Sequence, residues 1–150
     1  MGLAIAKARE GIGLGQTPFG ACIVKNGKMV SCEHNAVWKK NDITAHAEIQ
    51  AIRKACQKLK SVDLFGCIIY STCEPCPMCF AACHWARIDK IVYGSSIKDA
   101  QSAGFNELKL SSRSMKFLGR SKVKIQAKFM PSENAELFVL WGKNKKRKKY

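Results

Sequence analysis

At 150 residues, 47% apolar and 25% charged, the chain has the length and make-up of one folded domain, which excludes wholesale disorder. A chain of this size buries about 68–70% of its unfolded surface, so its core needs no disulfide staples. Twenty-six basic against eleven acidic residues give a net charge of +15, with six of the cations between Lys143 and Tyr150; such a field favours polyanions without deciding among partners.

The opening stretch Met1–Glu10 predicts a helix, broken by the glycines of 11–15. It is too interspersed with charge for a signal peptide, and no apolar run nears the roughly 18 residues of a membrane helix, so the cytosol is the expected compartment. Phe19–Lys25 reads as a buried strand, Asn26-Gly27 as a two-residue hairpin turn and Lys28–His34 as the return strand. Asn35–Ile43 is a polar loop. Thr44–Leu59 predicts a helix with Ile49, Ile52, Ala55, Cys56 and Leu59 on one face.

Cys67–Thr72 is a continuous apolar strand after Gly66, and Pro75 and Pro77 bracket the start of a helix over Met78–Arg87. Lys90–Tyr93 is a short strand, and Ser95–Gly119 holds helical pieces around Gly104. Val123, Ile125, Ala127 and Phe129 alternate with polar residues as a one-faced strand, and Pro131 opens a last helix. The order α-β-β-α-β-α-β-α-β-α predicts one α/β domain over residues 1–142, a three-layer sandwich with a central mixed five-stranded sheet between helices. Residues 143–150 form a separate basic tail.

Eight cysteines in a reducing compartment point to metal or catalysis where they cluster. Cys22, Cys32, Cys56 and Cys67 are scattered in apolar stretches. Cys73, Cys76, Cys79 and Cys83 fall within one short segment. Cys76 and Cys79 are three apart at a helix start, so their sulfurs share a face, and the helix terminus favours thiolate. With His46 supplying an imidazole, they make a three-ligand zinc site with one open position for water, whose pKa zinc brings to ~7. Glu48, two residues past His46, points away from the ligand face and can serve as proton shuttle for that water. Two other readings stay open. The four-cysteine run has the spacing of iron–sulfur proteins, and a structural zinc could take Cys73 or Cys83 as a fourth ligand. His34 and His84 are not expected to be ligands.

His46-Ala47-Glu48 together with Pro75-Cys76-Pro77-Met78-Cys79 resembles the H-x-E…P-C-x-x-C signature of the cytidine-deaminase-like zinc deaminases. Within that superfamily the chain is most similar to the bacterial guanine deaminases, through Thr17-Pro18-Phe19-Gly20-Ala21, Asn41–Glu48, Ser71–Cys79, Trp85-Ala86-Arg87, Asp99-Ala100 with Ala103-Gly104-Phe105, and the Lys148-Lys149-Tyr150 ending. The resemblance implies one zinc per chain on His46, Cys76 and Cys79, with Glu48 catalytic. It implies purine contacts from Asn35, Ala47 and Glu107, walls from Phe19 and Trp85, and a lid from Tyr150 at the end of a C-terminal segment exchanged within a homodimer. Three departures stand out: Ile43 where a proline is usual, Glu107 in place of aspartate, and the strongly basic tail.

The activity implied is hydrolysis of guanine to xanthine and ammonia, by attack of zinc-bound hydroxide on the amino-bearing carbon. The alternatives are a tRNA-specific adenosine deaminase, which the charge favours, and a non-catalytic iron–sulfur or structural-zinc module.

Overall fold

The computed structural model describes residues 1–145 and 147–149. Five strands form one sheet: β1 (Gly20–Lys25), β2 (Lys28–His34), β3 (Cys67–Cys73), β4 (Lys90–Ser95) and β5 (Lys124–Gln126), in the order β2-β1-β3-β4-β5. β1 is antiparallel to both β2 and β3, whereas β3, β4 and β5 run parallel. The mixed five-stranded α/β sandwich expected from the element order is therefore present. The hairpin turn is made as Asn26-Gly27 predicts, with both residues at positive φ (49° and 74°), the backbone that a right-twisted two-residue turn requires.

Helices α1 (Gly2–Gly13) and α7 (Pro131–Lys143) cover one face, while α3 (Ala47–Leu59) and α4 (Pro77–Trp85) cover the other. Three short helices complete the fold: α2 (Val37–Lys40), α5 (Ile97–Ser102) and α6 (Ser112–Leu118). Two glycines set the close approach on the α1/α7 face. A Cβ on Gly20 would stand 2.2 Å from the Ala4 carbonyl oxygen, and one on Gly94 would stand 2.1 Å from Asn134 Cγ. The core between the layers holds Ile23, Ile69 and Ile91 from the sheet, with Leu137 from α7, all essentially inaccessible to water.

Three boundaries differ from the sequence reading. The polar loop 35–43 contains α2, a single turn too short to show a period. The helix expected from Thr44 starts at Ala47, because the Asp42 carboxylate takes the Thr44 N–H (2.8 Å) and hydroxyl (2.6 Å) and holds a turn there. The strand expected over 123–129 is paired only at 124–126, against Lys90–Val92. Within the chain, α7 packs on α1 and β4, with Trp141 and Leu137 buried. Asn144 Nδ2 then donates to the Ile12 carbonyl at 2.8 Å.

Candidate active site

The site lies at the carboxyl ends of the parallel strands, where open α/β sheets place their crevices. β3 ends at Cys73 and leads through Glu74 and Pro75 into α4. His46 is the N-cap of α3 and Cys76 the N-cap of α4, both in extended backbone (ψ 155° and 169°), so two helix starts converge on one point. Pro77 at the first position of α4 presets the helical φ and has no N–H to leave orphaned. Cys79, one turn in, is fully buried.

His46 Nδ1 lies 3.7 Å from Cys76 Sγ and 3.6 Å from Cys79 Sγ. Tetrahedral zinc, with Zn–S about 2.3 Å and Zn–N about 2.0–2.1 Å, sets its nitrogen and sulfur ligands roughly 3.5 Å apart. The three donors therefore fit that ion as they stand. They are the one group of histidine, cysteine and carboxylate side chains among the described residues that converges in this way.

The electrostatics fit a cation. The hydrogen bond from Cys79 and the neighbouring His46 hold Cys76 as a thiolate, with a pKa of about 4 against the opposing cost of burial. Burial keeps Cys79 protonated, as does its bond to Cys76. Burial pulls the His46 imidazole down, but its bond to Cys76 and the charges of Glu48, Cys76 and Glu107 outweigh this, and its pKa is raised. Two sulfurs thus share one proton that a metal ion would displace.

The other two cysteines of the cluster do not join. Cys73 Sγ donates to the Ser96 carbonyl at 3.4 Å, and burial pushes its thiol well up. Cys83 is fully buried in α4, where burial likewise raises it. The four-cysteine run therefore does not make a cluster-binding set. His34 Nδ1 is spent on the Asn35 carbonyl (2.6 Å) and His84 Nδ1 on Ser121 Oγ (2.9 Å).

Glu48, in the first turn of α3, is 6% exposed. Its Oε1 accepts from Ser71 Oγ at 2.8 Å, and its Oε2 lies 3.5 Å from Cys79 Sγ. Burial raises its carboxyl above the ordinary range, against the lowering charge of His46. A carboxyl so placed can hold or release a proton within reach of whatever the donors bind.

A cleft of about 260 Å³ opens over the donors, between Ile43 and His46 on one side and Asn106, Glu107 and Leu108 on the other, with Pro77 and Met78 at its edge. Its inner end is lined by Phe19, Cys73, Glu74 and Glu107 beside His46, Glu48 and Cys76. Phe19 is also a core residue, edge-on to Phe105 at 4.9 Å and to Phe138 at 5.9 Å. Burial raises the Glu107 carboxyl, as does the Cys76 charge. Ala47 is buried at the start of α3, between ligand and carboxylate.

Asn35 is fully buried behind Phe19. Its Oδ1 accepts from the Val37 N–H at 3.0 Å, and its own N–H donates to the Phe19 carbonyl at 2.9 Å. Trp85 does not wall this cleft: it ends α4, nine residues beyond Cys76, and is 78% exposed. A helical rise of about 1.5 Å per residue carries it away from the donors. Tyr150 lies outside the described residues. The tail leading to it does return towards the site: Trp38 Nε1 donates to the Lys148 carbonyl at 3.2 Å, and the Lys148 ammonium stands 5.3 Å from the Trp38 ring centre. Cys73 and Glu74 on the inner wall, and Ile43 and Met78 at the mouth, are cleft residues that sequence reasoning did not assign. The segments leading into α3 and α4 bring them to the cleft.

Among known proteins, the family model described as the cytidine and deoxycytidylate deaminase zinc-binding region matches residues 1–95. The chain is 48% identical over 105 residues to the guanine deaminase of Bacillus subtilis, covering 69% of this chain and 67% of that protein. A structure of a tRNA:A34 deaminase superposes with a TM-score of 0.78 at 32% identity, over 91% of this chain and 96% of its own. The guanine deaminase of Nitrosomonas europaea superposes at 0.85 and 25% identity, over 93% and 81%. The chain spans between 62% and 67% of the length of the first curated relatives it matches. This chain belongs to the cytidine and deoxycytidylate deaminase zinc-binding family.

Proposed function

We propose that the protein hydrolyses guanine to xanthine and ammonia, with His46, Cys76 and Cys79 as zinc ligands and Glu48 as the proton shuttle. The observation that carries this reading is that one cleft joins the donor triad, the buried Glu48 carboxyl, the Phe19 ring and the Glu107 carboxylate. A zinc ion held by these donors supplies a Lewis acid that makes solvent water nucleophilic near neutral pH. The chain's own groups do the rest. Glu48 takes one proton from the attacking water and delivers it to the purine ring nitrogen, then takes the second from the added hydroxyl and delivers it to the departing amine. Phe19 offers an apolar face to the base. Glu107 accepts hydrogen bonds from the exocyclic amino group, and Asn35 and Ala47 contribute to reading the purine edge. Water adds, ammonia leaves, and no redox partner is required.

The long match to a tRNA:A34 deaminase and the charge of +15 favour a second reading, deamination of adenosine in a tRNA loop. Ammonia release across guanine, guanosine, adenine, adenosine, cytosine and tRNA separates the two. Guanine turnover at the highest kcat/KM supports the first; undetectable guanine turnover alongside inosine formation in tRNA overturns it. The enzyme would work in the cytosol as a homodimer whose C-terminal segments exchange between subunits.

A further inference from the structure

We infer that Glu74 is a positioning residue that fixes the substrate-facing wall of the cleft against the loop carrying the metal ligands. Glu74 is 7% exposed, sits two residues before Cys76 and plays no part in the chemistry proposed above. Its carboxylate is shared between two helix starts. Oε2 accepts from the Ile97 N–H at 3.2 Å, the first residue of α5, and Oε1 accepts from the Ser112 N–H at 2.9 Å, the first residue of α6. The adjoining backbone repeats the connection, with the Glu74 N–H on the Ser95 carbonyl at 2.8 Å and the Ser112 hydroxyl on the Pro75 carbonyl at 3.0 Å.

The segment between those helix starts is anchored by this carboxylate together with the Ser96–Asp99 capping box, the Ser111 cap and the bond from Gln101 Nε2 to the Glu107 carbonyl at 3.1 Å. The segment from Ala103 to Leu110 has no ladder of its own, yet it supplies Phe105 behind Phe19 and Asn106, Glu107 and Leu108 along the cleft. Helices of six and seven residues do not hold themselves, since isolated helices under about 12–15 residues are marginal in water. A carboxylate that satisfies an orphan N–H at each start, and offsets the positive end of each helix, sets both at once. It binds the position of Glu107 to that of Cys76. The two faces that must meet across a bound base are thus registered by one side chain whose two carboxylate oxygens are spent on the helix starts.

Glu74→Gln keeps the shape but removes one acceptor and the charge. Amides of residues 97–112 should then exchange with deuterium at least tenfold faster, at unchanged zinc content. KM for guanine should rise at least tenfold while kcat changes less than threefold. Glu74→Asp, which keeps the charge, should recover part of the protection. Ser112→Pro tests one arm independently, because Ser111 is already extended (ψ 153°) and proline fits the first helical position; it should loosen 103–112 with zinc retained. This second variant decides the matter should the glutamine variant lose zinc or fold. Unchanged exchange and unchanged KM in the variants overturn the inference. The KM arm rests on the guanine reading; in a protein that does not turn over guanine, the exchange arm alone decides.

Discussion

Ser71 and Glu48 meet at the floor of the cleft, the hydroxyl donating to Glu48 Oε1 at 2.8 Å, so that only Oε2 is left towards the Cys79 side of the donor set. A hydroxyl on β3 thereby chooses which carboxyl oxygen works and holds it in place. Glu48→Gln preserves this bond and the shape of the site but cannot carry a proton. The variant should bind zinc fully and unfold within a degree or two of the wild type. Its kcat should fall by about 10²–10⁴, the usual share of general acid–base catalysis. Metal analysis beside ammonia release checks both. Ser71→Ala should cost less, roughly tenfold in kcat, by releasing the carboxyl rather than removing it.

The donor distances make the second prediction. His46, Cys76 and Cys79 already stand at the separations tetrahedral zinc demands. The purified protein should therefore be colourless and carry about one zinc per chain. Chelation should abolish turnover, add one reactive thiol at the partly exposed Cys76, and be reversed by zinc. Cys76→Ser should lose most of the metal, whereas Cys73→Ser should keep it, since Cys73 turns to the Ser96 carbonyl. Zinc lost equally from both variants would show that Cys73 also holds the ion.

Phe19 belongs to the core and the cleft at once, and its two roles separate by substitution. At 8% exposure, with Phe105 and Phe138 against its edges, Phe19→Ala should cost about 3–5 kcal/mol of stability and raise KM for the base. Phe19→Leu should retain most of the stability and still raise KM severalfold, because the flat face is gone. Glu107→Gln should leave stability within about 0.5 kcal/mol, as an only partly buried group with no core packing to lose, and raise KM for guanine more than for other bases. Thermal melts and steady-state kinetics on the same preparations separate these effects.

Which parts of this site the sequence discloses follows from the range of the forces involved. Cys76 and Cys79 are one helical turn apart, so their convergence is written in spacing. The proline beside them writes the helix start. His46 and Glu48 flank one alanine, and the break before α3 sends one side chain to the donor set and the other to Ser71. The wall opposite is different. Nothing in Ser95–Gly119 is periodic, because its short helices are held by Glu74, more than twenty residues away in sequence. Trp85 is assigned to the pocket by resemblance alone: on this chain the length of α4 carries it to the surface. The strand expected to Phe129 alternates correctly, but its ladder with β4 stops at Gln126, and after Lys128 at φ 56° only the Phe129 N–H returns to it, on the Tyr93 carbonyl at 3.0 Å. Alternation reports a face and not the extent of a ladder.

The basic tail gives the last prediction. Six cations in its short length repel one another, and composition alone reads it as a solvated run. The structure instead seats Lys148 on α2. The Trp38 indole N–H holds the Lys148 carbonyl, the Lys148 ammonium stands over the same ring, and Lys149 Nζ lies where a Cβ on Gly104 would collide with it, at 2.3 Å. Gly104 has φ +92°, so the turn that receives the lysine tolerates no ordinary side chain. One hydrogen bond and one partly exposed cation–π contact contribute only about 1–2 kcal/mol together. The tail should therefore open often, and Trp38→Ala should tip it open. Trypsin should cleave the tail of that variant about tenfold faster than in the wild type, with the body of the domain intact. The tail spans from α2 to the Gly104 turn, beside the segment that carries Glu107, so the same variant should raise KM for guanine with kcat little changed. Equal cleavage rates in variant and wild type would mean that Trp38 does not hold the tail in solution.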